Sequence, residues 1–251
     1  MKKLKIFMTF LVTFISLISI SVQVSSHLAF AFSLDVKSDS EPSFYPFSPQ
    51  RALNGQAAEP KKKSLGARTI LPSPVWVIGS YDKNGQANAM TSAWAAICCS
   101  RPPCVTISLR KETYTYSNIM EKKAFTVNIP AASQAAYAAY FGSVSGRDVN
   151  KFVATGLTPV KSDLVEAPYI KEFPLILECR LKQTLEIGSH TMFIGEIVDV
   201  KADENILTEE GALDLEKFRG FFFQPGRGKF YQYGEFLGDV AALAEKIKKK
   251  K

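Results

Sequence analysis

Beyond residue 70 the sequence consists of short β-rich runs separated by turn residues, and this pattern constrains the fold more than any other feature. The clearest hairpin turn is Asp82-Lys83-Asn84-Gly85, because an Asn-Gly pair favours a tight turn between two strands. Many strands with few short helices predict a mainly β fold with α decorations, an antiparallel barrel that is closed or partly open. The predicted strands are residues 75–81, 87–97, 104–110, 124–129, 175–186, 191–202, 218–223 and 230–233, and the predicted helices are residues 115–122, 131–141 and 149–154.

The net charge does not indicate a nucleic-acid-binding protein. The formal charge is +7, but Lys2, Lys3 and Lys5 lie near the first residue and residues 248–251 are all lysine. Without these lysines the remaining chain has no net charge, whereas a duplex-binding domain needs its positive excess on the folded body. We therefore expect no nucleic-acid partner. The lysine-rich tail, residues 241–251, is interpreted as a solvated end, with weak attraction to anionic membranes as the alternative.

The first 31 residues have the pattern of an export signal. Basic residues precede an apolar stretch at residues 6–22, and Ala29-Phe30-Ala31 matches the small-residue cleavage pattern. We expect residues 1–31 to be a signal peptide and the protein to be exported, with the periplasm as its compartment. An uncleaved membrane anchor is the alternative, because the apolar stretch approaches the length that spans a bilayer. Residues 32–64 then form a flexible linker, and residues 65–240 form the globular domain.

The histidines exclude several classes of enzyme. The chain has only His27 and His190, and His27 lies within the predicted signal peptide. Multi-histidine metal sites and H-E-x-x-H hydrolases are therefore excluded, and we expect no metal site. The sequence also lacks a Walker motif and a G-x-G-x-x-G fingerprint after a strand, so a dinucleotide-binding fold of the doubly wound type is not supported.

The four cysteines leave two interpretations open. Cys98, Cys99, Cys104 and Cys179 contain no C-x-x-C motif. In an oxidising compartment, Cys98 or Cys99 could form a disulfide with Cys104 across the proline turn at residues 102–103. Free thiols are the alternative.

Three stretches have a composition suited to a ligand that carries a flat ring and a phosphate. Residues 88–94 combine small and hydroxyl side chains with a Met and a Trp, which allows close approach to the backbone. In residues 108–115 a strand ends in two cations and a helix follows, with Thr113 or Thr115 as N-cap. In residues 142–152, Arg147 and Lys151 are four positions apart, which would place both cations on one helical face. A buried strand, a capped helix and a structural loop are the respective alternatives.

At these stretches the chain resembles the flavin reductase-like family of FMN-binding split barrels, and in particular its flavoredoxin branch. The resemblance extends in order from about residue 71 to residue 238 and includes Pro102-Pro103, Ser145-Gly146-Arg147-Asp148 and the run from His190 to Glu196. It implies an antiparallel split β-barrel of Greek-key type with FMN as cofactor. It also implies a homodimer in which the cofactor lies near the subunit interface.

The resemblance assigns cofactor-binding residues but no catalytic residue, because a flavin itself carries the redox chemistry. His190 is placed near the site without a proton-transfer role. The residues implied to line the flavin ring and ribityl chain are Asn88, Met90, Thr91, Ser92, Ala93 and Trp94; those implied to approach the phosphate or flavin edge are Ser108, Arg110 and Thr115; and those implied to supply further polar and cationic contacts are Ser145, Arg147 and Lys151.

The expected function is that of an FMN-dependent oxidoreductase of the flavin reductase or flavoredoxin type. Its electron donor is NAD(P)H or a redox protein, and its acceptor is a flavin or an external molecule. Because NAD(P)H is scarce outside the cytoplasm, export would favour a redox protein as the donor. A flavin-binding or storage module without catalytic activity is the alternative.

Overall fold

The computed structural model describes residues 61–248, so the predicted signal peptide and most of the predicted linker lie outside the described residues. The described strands are β1 (Ser73–Pro74), β2 (Trp76–Tyr81), β3 (Ala87–Ser92), β4 (Ala95–Ser100), β5 (Pro103–Leu109), β6 (Ala124–Ile129), β7 (Pro159–Lys161), β8 (Pro168–Ile170), β9 (Leu175–Ile187), β10 (His190–Ala202), β11 (Phe221–Gln224) and β12 (Lys229–Gln232). The described helices are α1 (Tyr114–Lys122), α2 (Ala135–Ser143), α3 (Lys151–Thr155), α4 (Leu215–Phe218) and α5 (Val240–Lys248).

Seven strands form one antiparallel sheet in the order β3-β2-β6-β9-β10-β5-β4. β3 and β4 are the two edges of this sheet, yet only Ala93 and Trp94 separate them in the chain. The sheet therefore curls until its two edges lie close together. The backbone N–H of Ser108 on β5 donates to the Trp94 carbonyl at 2.8 Å, which extends the β4–β5 pairing by one residue towards β3. The predicted mainly β fold of split-barrel type is confirmed.

The core has two parts that share β2. Trp76 and Ile78 pack into the barrel interior with the aliphatic side chains of β5 and with Phe125 of β6. Val77 packs on the other side, against Phe141 of α2 and other apolar residues outside the barrel. This division follows from the alternation of side chains along a strand, and it explains why β2 is buried on both faces.

The prediction of one continuous strand at residues 87–97 is wrong, because the structure has two strands there. Ser92 is the register partner of Trp76 on β2, whereas Ala95 is the partner of Ile107 on β5. The chain changes partner strands at residues 93–94, so one β-rich run forms two strands. This change depends on how the sheet curls, and the local pattern of residues does not contain it.

The predicted strand at residues 218–223 also begins later than expected. Leu215–Phe218 forms α4, and Asp214 caps this helix by accepting hydrogen bonds from the backbone N–H groups of Glu216 and Lys217 at 3.0 and 3.1 Å. The strand β11 therefore starts at Phe221.

The predicted lysine-rich tail is helical up to residue 248, the last described residue, and none of the residues of α5 is buried. Among residues 61–248, no helix has both the length and the hydrophobicity that crossing a bilayer requires.

Candidate functional site

A cleft of about 360 Å³ opens where β3 meets the beginning of α1 and the loop after α2. This volume lies within the usual range for small-molecule sites, roughly 300 to 1,000 Å³. The lining residues come from all three predicted ligand-binding stretches: Asn88, Met90, Arg110, Glu112, Thr113, Tyr114, Thr115, Phe141, Gly142, Ser143, Val144, Ser145, Gly146 and Lys151.

The first turn of α1 faces the cleft because a tight turn connects β5 to the helix. Thr113 is the N-cap, and its backbone N–H and its Oγ1 both donate to the Arg110 carbonyl, at 3.1 and 2.8 Å. The first turn contains no acidic residue. The unpaired amides and the positive end of the helix dipole are therefore available to an anion beside Arg110.

Lys151 is the buried cation of the cleft. Its side chain is almost wholly inside, at 3% exposed, and Nζ donates to the carbonyls of Ala89 and Phe141, both at 2.8 Å. Neither partner carries a charge, and within residues 61–248 no carboxylate forms an ion pair with it. Burial lowers the pKa of Lys151 to about 8. An ammonium has three donors, so one remains for a ligand in the cleft.

A buried polar network forms the floor of the cleft. Asn88 donates through Nδ2 to Thr115 Oγ1 at 2.9 Å and to Ser80 Oγ at 3.5 Å, and Asn118 donates to the same Ser80 oxygen at 3.1 Å. Asn88 Oδ1 is buried but accepts no hydrogen bond within the described residues. Because an unpaired buried acceptor is costly, this oxygen marks a position at which a ligand donor would be stabilising.

Residues 142–146, the end of α2 and the start of the loop after it, pack closely on neighbouring elements through two glycines. A Cβ on Gly146 would overlap Asn88 Oδ1 and lie 3.0 Å from Tyr114 Cδ1. A Cβ on Gly142 would lie 3.3 Å from Thr91 Cβ. Gly146 therefore approaches Asn88 and Tyr114 more closely than a side chain would allow, and Gly142 leaves little room for one beside Thr91.

Tyr114 is fixed by a carboxylate outside the cleft wall. Its hydroxyl donates to Asp82 Oδ2 at 2.8 Å, while Asp82 Oδ1 accepts from the backbone N–H groups of Asn84 and Gln86 at 2.8 and 2.7 Å. Burial alone would raise the pKa of Asp82, but these hydrogen bonds outweigh burial and hold the pKa below its usual range. Burial raises the pKa of Tyr114, and the hydrogen bond to Asp82 adds to that effect.

Arg147 does not share a helical face with Lys151, so the predicted pairing of these cations is wrong. Asn150 is the N-cap of α3 and Lys151 is its first residue, which leaves Arg147 in the preceding loop. The Arg147 guanidinium lies 5.3 Å from the centre of the Tyr114 ring, and Nη1 donates to the Glu112 carbonyl at 2.6 Å. Arg147 thus connects residues 142–146 to the turn before α1.

Six of the thirteen predicted cofactor-binding residues line the cleft: Asn88, Met90, Arg110, Thr115, Ser145 and Lys151. Of the others on β3, Thr91 donates to the Ala138 carbonyl and so holds α2 in place, and Ser92 is buried. Ala93 and Trp94 connect β3 to β4, and the backbone N–H of Ser108 donates to the Trp94 carbonyl as a continuation of the β4–β5 pairing.

His190 is the first residue of β10, and its Nδ1 lies 2.8 Å from Ser189 Oγ. The next residue, Thr191, is the register partner of Leu109 at the end of β5. His190 is therefore near the turn that contains Arg110, but it does not line the cleft.

Three residues of the site carry no signal of their own in the sequence: Tyr114, Gly146 and Asp82. Gly146 and Tyr114 fall inside two of the predicted ligand-binding stretches, but their importance depends on contacts with Asn88 and Asp82. The sequence places Asp82 in a hairpin turn, and its hydrogen bond to a tyrosine 32 positions later has no local pattern.

The comparisons with known proteins agree with one another. A family model described as a flavin reductase like domain matches residues 67–221. The structure of flavoredoxin from Desulfovibrio vulgaris (Miyazaki F) is 45% identical, with a TM-score of 0.70, and the match covers 73% of this chain and 100% of that one. Flavoredoxin from Methanosarcina acetivorans is 30% identical, with a TM-score of 0.68 and coverage of 76% and 100%.

A similar protein with a named activity is the reductase component of a 4-nitrophenol 4-monooxygenase/4-nitrocatechol 2-monooxygenase from Rhodococcus opacus. It is 31% identical over 104 residues, which are 41% of this chain and 52% of that protein. Every residue that lines the cleft falls within the range that the family model matches.

Proposed function

Because this chain belongs to the flavin reductase-like family and its relatives support a flavin-related redox function, we propose that it is an oxidoreductase that holds FMN in the cleft. The observation that carries the proposal is that two buried polar groups of one cleft have unused hydrogen-bonding capacity. Lys151 offers a charged donor without a carboxylate partner among the described residues, and Asn88 Oδ1 offers a buried acceptor. The pyrimidine edge of a flavin ring presents acceptors beside an N–H donor, which complements this pair.

The phosphate of FMN fits the other polar element of the cleft. Arg110, the first-turn amides of α1 and the Thr115 hydroxyl lie together there, and phosphates favour the beginnings of helices. Apolar Met90 and Phe141 line the same cleft and would contact the ring. This donor set favours FMN, which ends in a single phosphate, over FAD.

FMN, when bound, supplies the transfer of hydride or single electrons, so the chain needs no nucleophile or metal of its own. The contribution of Lys151 is electrostatic, because a buried ammonium stabilises negative charge on a neighbouring ring more strongly than an exposed one does. Residues 142–146 form one wall of the cleft, and Arg147 holds that wall against the turn before α1.

Flavin titration of the purified protein tests the cofactor. We expect FMN to bind with quenched fluorescence and FAD to bind more weakly. NADH, NADPH or dithionite is then added to the FMN-loaded protein without oxygen, and the bleaching of the flavin absorption bands is recorded. Failure to bind either flavin contradicts the proposal. Reduction by dithionite without sustained turnover from any biological donor indicates the storage module instead.

The electron donor is a redox protein, with NAD(P)H as the alternative. One point supports a protein donor: export would separate the chain from NAD(P)H. The relative named as the reductase component of a monooxygenase supports a redox partner, on the accepting or the donating side. Steady-state turnover with a reduced ferredoxin or rubredoxin, compared with NADH and NADPH at equal electron supply, distinguishes the donors.

The protein works as a homodimer in which the segment before α5 contacts the second copy. Phe236, Leu237 and Val240 are large apolar residues that are 72%, 84% and 86% exposed, which is costly for a monomer in water. Light scattering of the purified protein measures the mass. Phe236→Asp combined with Leu237→Asp should convert a dimer into a monomer, and a wild-type monomer contradicts the assignment.

Residues 1–31 direct the chain out of the cytoplasm. This assignment is supported by the basic start, the apolar stretch and the Ala29-Phe30-Ala31 site. Fractionation of expressing cells followed by sequencing of the mature N-terminus tests it. A first residue of Phe32 in the periplasmic fraction supports cleavage, whereas an intact chain in the membrane fraction indicates the anchor.

A further inference from the structure

Three of the four cysteines lie together on the hairpin formed by β4 and β5. Cys98 and Cys99 are exposed on β4, which is an edge strand of the sheet, and Cys104 is buried near the beginning of β5. The fourth, Cys179, is fully buried on β9. None of these thiols lines the cleft proposed to hold the flavin.

The strand register selects one pair of thiols. Cys99 and Cys104 are direct partners across the antiparallel pair. Such partners have side chains on the same face and Cα atoms about 4.5 to 5.5 Å apart. Disulfides need Cα separations of about 4.4 to 6.8 Å, so the pair is positioned for a bridge. Cys98 lies in the register shift between Ile97 and Cys99 and has no partner on β5.

We propose that Cys99 and Cys104 form a reversible disulfide by exchange with a low-molecular-weight disulfide of the oxidised glutathione type. The Cys99 thiolate attacks one sulfur of the small disulfide, forms a mixed disulfide and releases one glutathione thiolate. The Cys104 thiolate then attacks Cys99 Sγ, forms the protein disulfide and releases the second glutathione thiolate. The two protein thiols lose two electrons and two protons, and the small disulfide gains both to become two thiols.

The order of attack follows from exposure. Cys104 is only 5% exposed, and burial raises its pKa, so it is a poor first nucleophile. The groups that face it act in opposite directions: Cys98, Cys99 and Glu196 raise its pKa, and Lys182 lowers it. Glu196 is its register partner on β10, and Lys182 forms an ion pair with Glu196 at 3.0 Å. Cys99 is exposed and meets the external disulfide first, and Cys104 closes the bridge.

The bridge would fasten an edge of the sheet. β4 is held only by β5 within the seven-stranded sheet, and Cys99–Cys104 lies one pair from the end of the hairpin, where Ser100 opposes Pro103. Formation of the disulfide would therefore resist the loss of β4 from the sheet. Reduction would release this edge.

Differential labelling of the full chain tests the assignment. The protein is reduced, desalted without oxygen and equilibrated with mixtures of oxidised and reduced glutathione. The protein is unfolded in denaturant so that the buried thiols react, and free thiols are blocked with N-ethylmaleimide. The intact mass is recorded, and reduction followed by iodoacetamide marks the thiols that were oxidised. Because Arg101 precedes Pro102, trypsin leaves residues 84–110 as one peptide that contains all three cysteines. Fragmentation of this peptide assigns the label at each one.

We expect Cys98 to carry the first label and Cys99 and Cys104 to carry the second, with no glutathione added to the intact mass. Cys98→Ser should keep the bridge, whereas Cys99→Ser should lose it and leave Cys104 with the first label. Both substitutions are at exposed positions, so we expect both variants to keep the folded barrel and to be directly comparable. A stable glutathione adduct with Cys104 free, a bridge between Cys98 and Cys99, or a disulfide-linked dimer on a non-reducing gel would overturn the assignment.

Discussion

Two lysines occupy opposite electrostatic environments in this protein. Lys201 Nζ lies 2.7 Å from Asp199 Oδ2, 2.9 Å from Asp163 Oδ2 and 3.2 Å from Glu178 Oε1. Hydrogen bonds to Asp199 and Asp163 raise its pKa well above the usual value. Lys151 in the cleft contacts only two carbonyls among the described residues, and burial lowers its pKa.

The comparison indicates that Lys201 stabilises the fold, whereas Lys151 is available to bind a ligand. Glu178 is fully buried, and its carboxylate forms an ion pair with Lys201. It also accepts hydrogen bonds from the backbone N–H groups of Asp163 and Leu164. One lysine there faces three carboxylates, so the positive charge of Lys201 is fully compensated by acidic side chains of the same chain. Around Lys151 the counterpart is absent from residues 61–248, so an anionic or strongly polar ligand has the most to contribute at that position.

Lys201→Met should cause the largest loss of stability, because it leaves the Glu178 carboxylate buried without its cation. Breaking a buried ion pair from one side costs about 3 to 5 kcal/mol, to be measured by urea unfolding. Lys111→Met is the matched control, because the Lys111–Glu186 pair is exposed to solvent and should contribute little to the free energy of unfolding. Equal losses in the two variants would remove the basis of the comparison.

Lys151→Met should separate affinity from stability. Loss of a charged donor to the ligand should weaken FMN binding by about 10- to 100-fold, corresponding to about 1.4 to 2.8 kcal/mol. The free energy of unfolding should change by less than about 1 kcal/mol, since relief from burying an uncompensated charge offsets two lost hydrogen bonds. Fluorescence titration and urea unfolding of the same preparation give both quantities. A destabilisation as large as that of Lys201→Met, with unchanged affinity, would make Lys151 a structural residue.

The pH dependence of FMN binding should reveal the lowered pKa of Lys151. Above about pH 8 the free protein loses the ammonium proton, so affinity should fall by up to about tenfold per pH unit. Between about pH 8 and the ordinary lysine pKa, Lys151 binds more protons in the unfolded chain than in the folded protein. Its titration therefore makes the free energy of unfolding rise with pH over this range. Titrations from pH 7 to pH 9.5 test the first effect. Lys151→Met should show no such decline, and a decline of the same size in both proteins would assign it to another group.

Tyr114→Phe should have the smallest effect. Asp82 keeps its two backbone donors, so loss of the tyrosine hydrogen bond should lower the free energy of unfolding by about 1 kcal/mol. The pKa of Asp82 lies below its usual range, so its contribution is present at neutral pH and disappears as the pH falls through that pKa. The difference between wild type and variant should therefore narrow in acid. A difference that stays constant down to pH 2 would mean that the carboxylate is not involved.

Local patterns predicted most strands, an antiparallel barrel and the three stretches that meet at the cleft, and the family resemblance predicted the split-barrel class. They did not predict the change of partner at Ala93-Trp94, because this requires the curvature of the whole sheet. They placed Lys151 and Arg147 on one face of a helix, but α3 begins only at Lys151, so Arg147 lies in the loop before it. They also missed the link between Asp82 and Tyr114, since a hydrogen bond over 32 positions has no periodic signal.

The sharing of β2 by both parts of the core has a consequence for motion. The floor of the cleft includes Ser80, which lies on this same strand, so neither part of the core can open without disturbing the other and the floor with them. Amide exchange of β2 should then occur only through global unfolding. A cofactor would then enter and leave past residues 142–146 at the wall of the cleft while the barrel stays closed, so the stability of the barrel would not set how long a bound molecule stays.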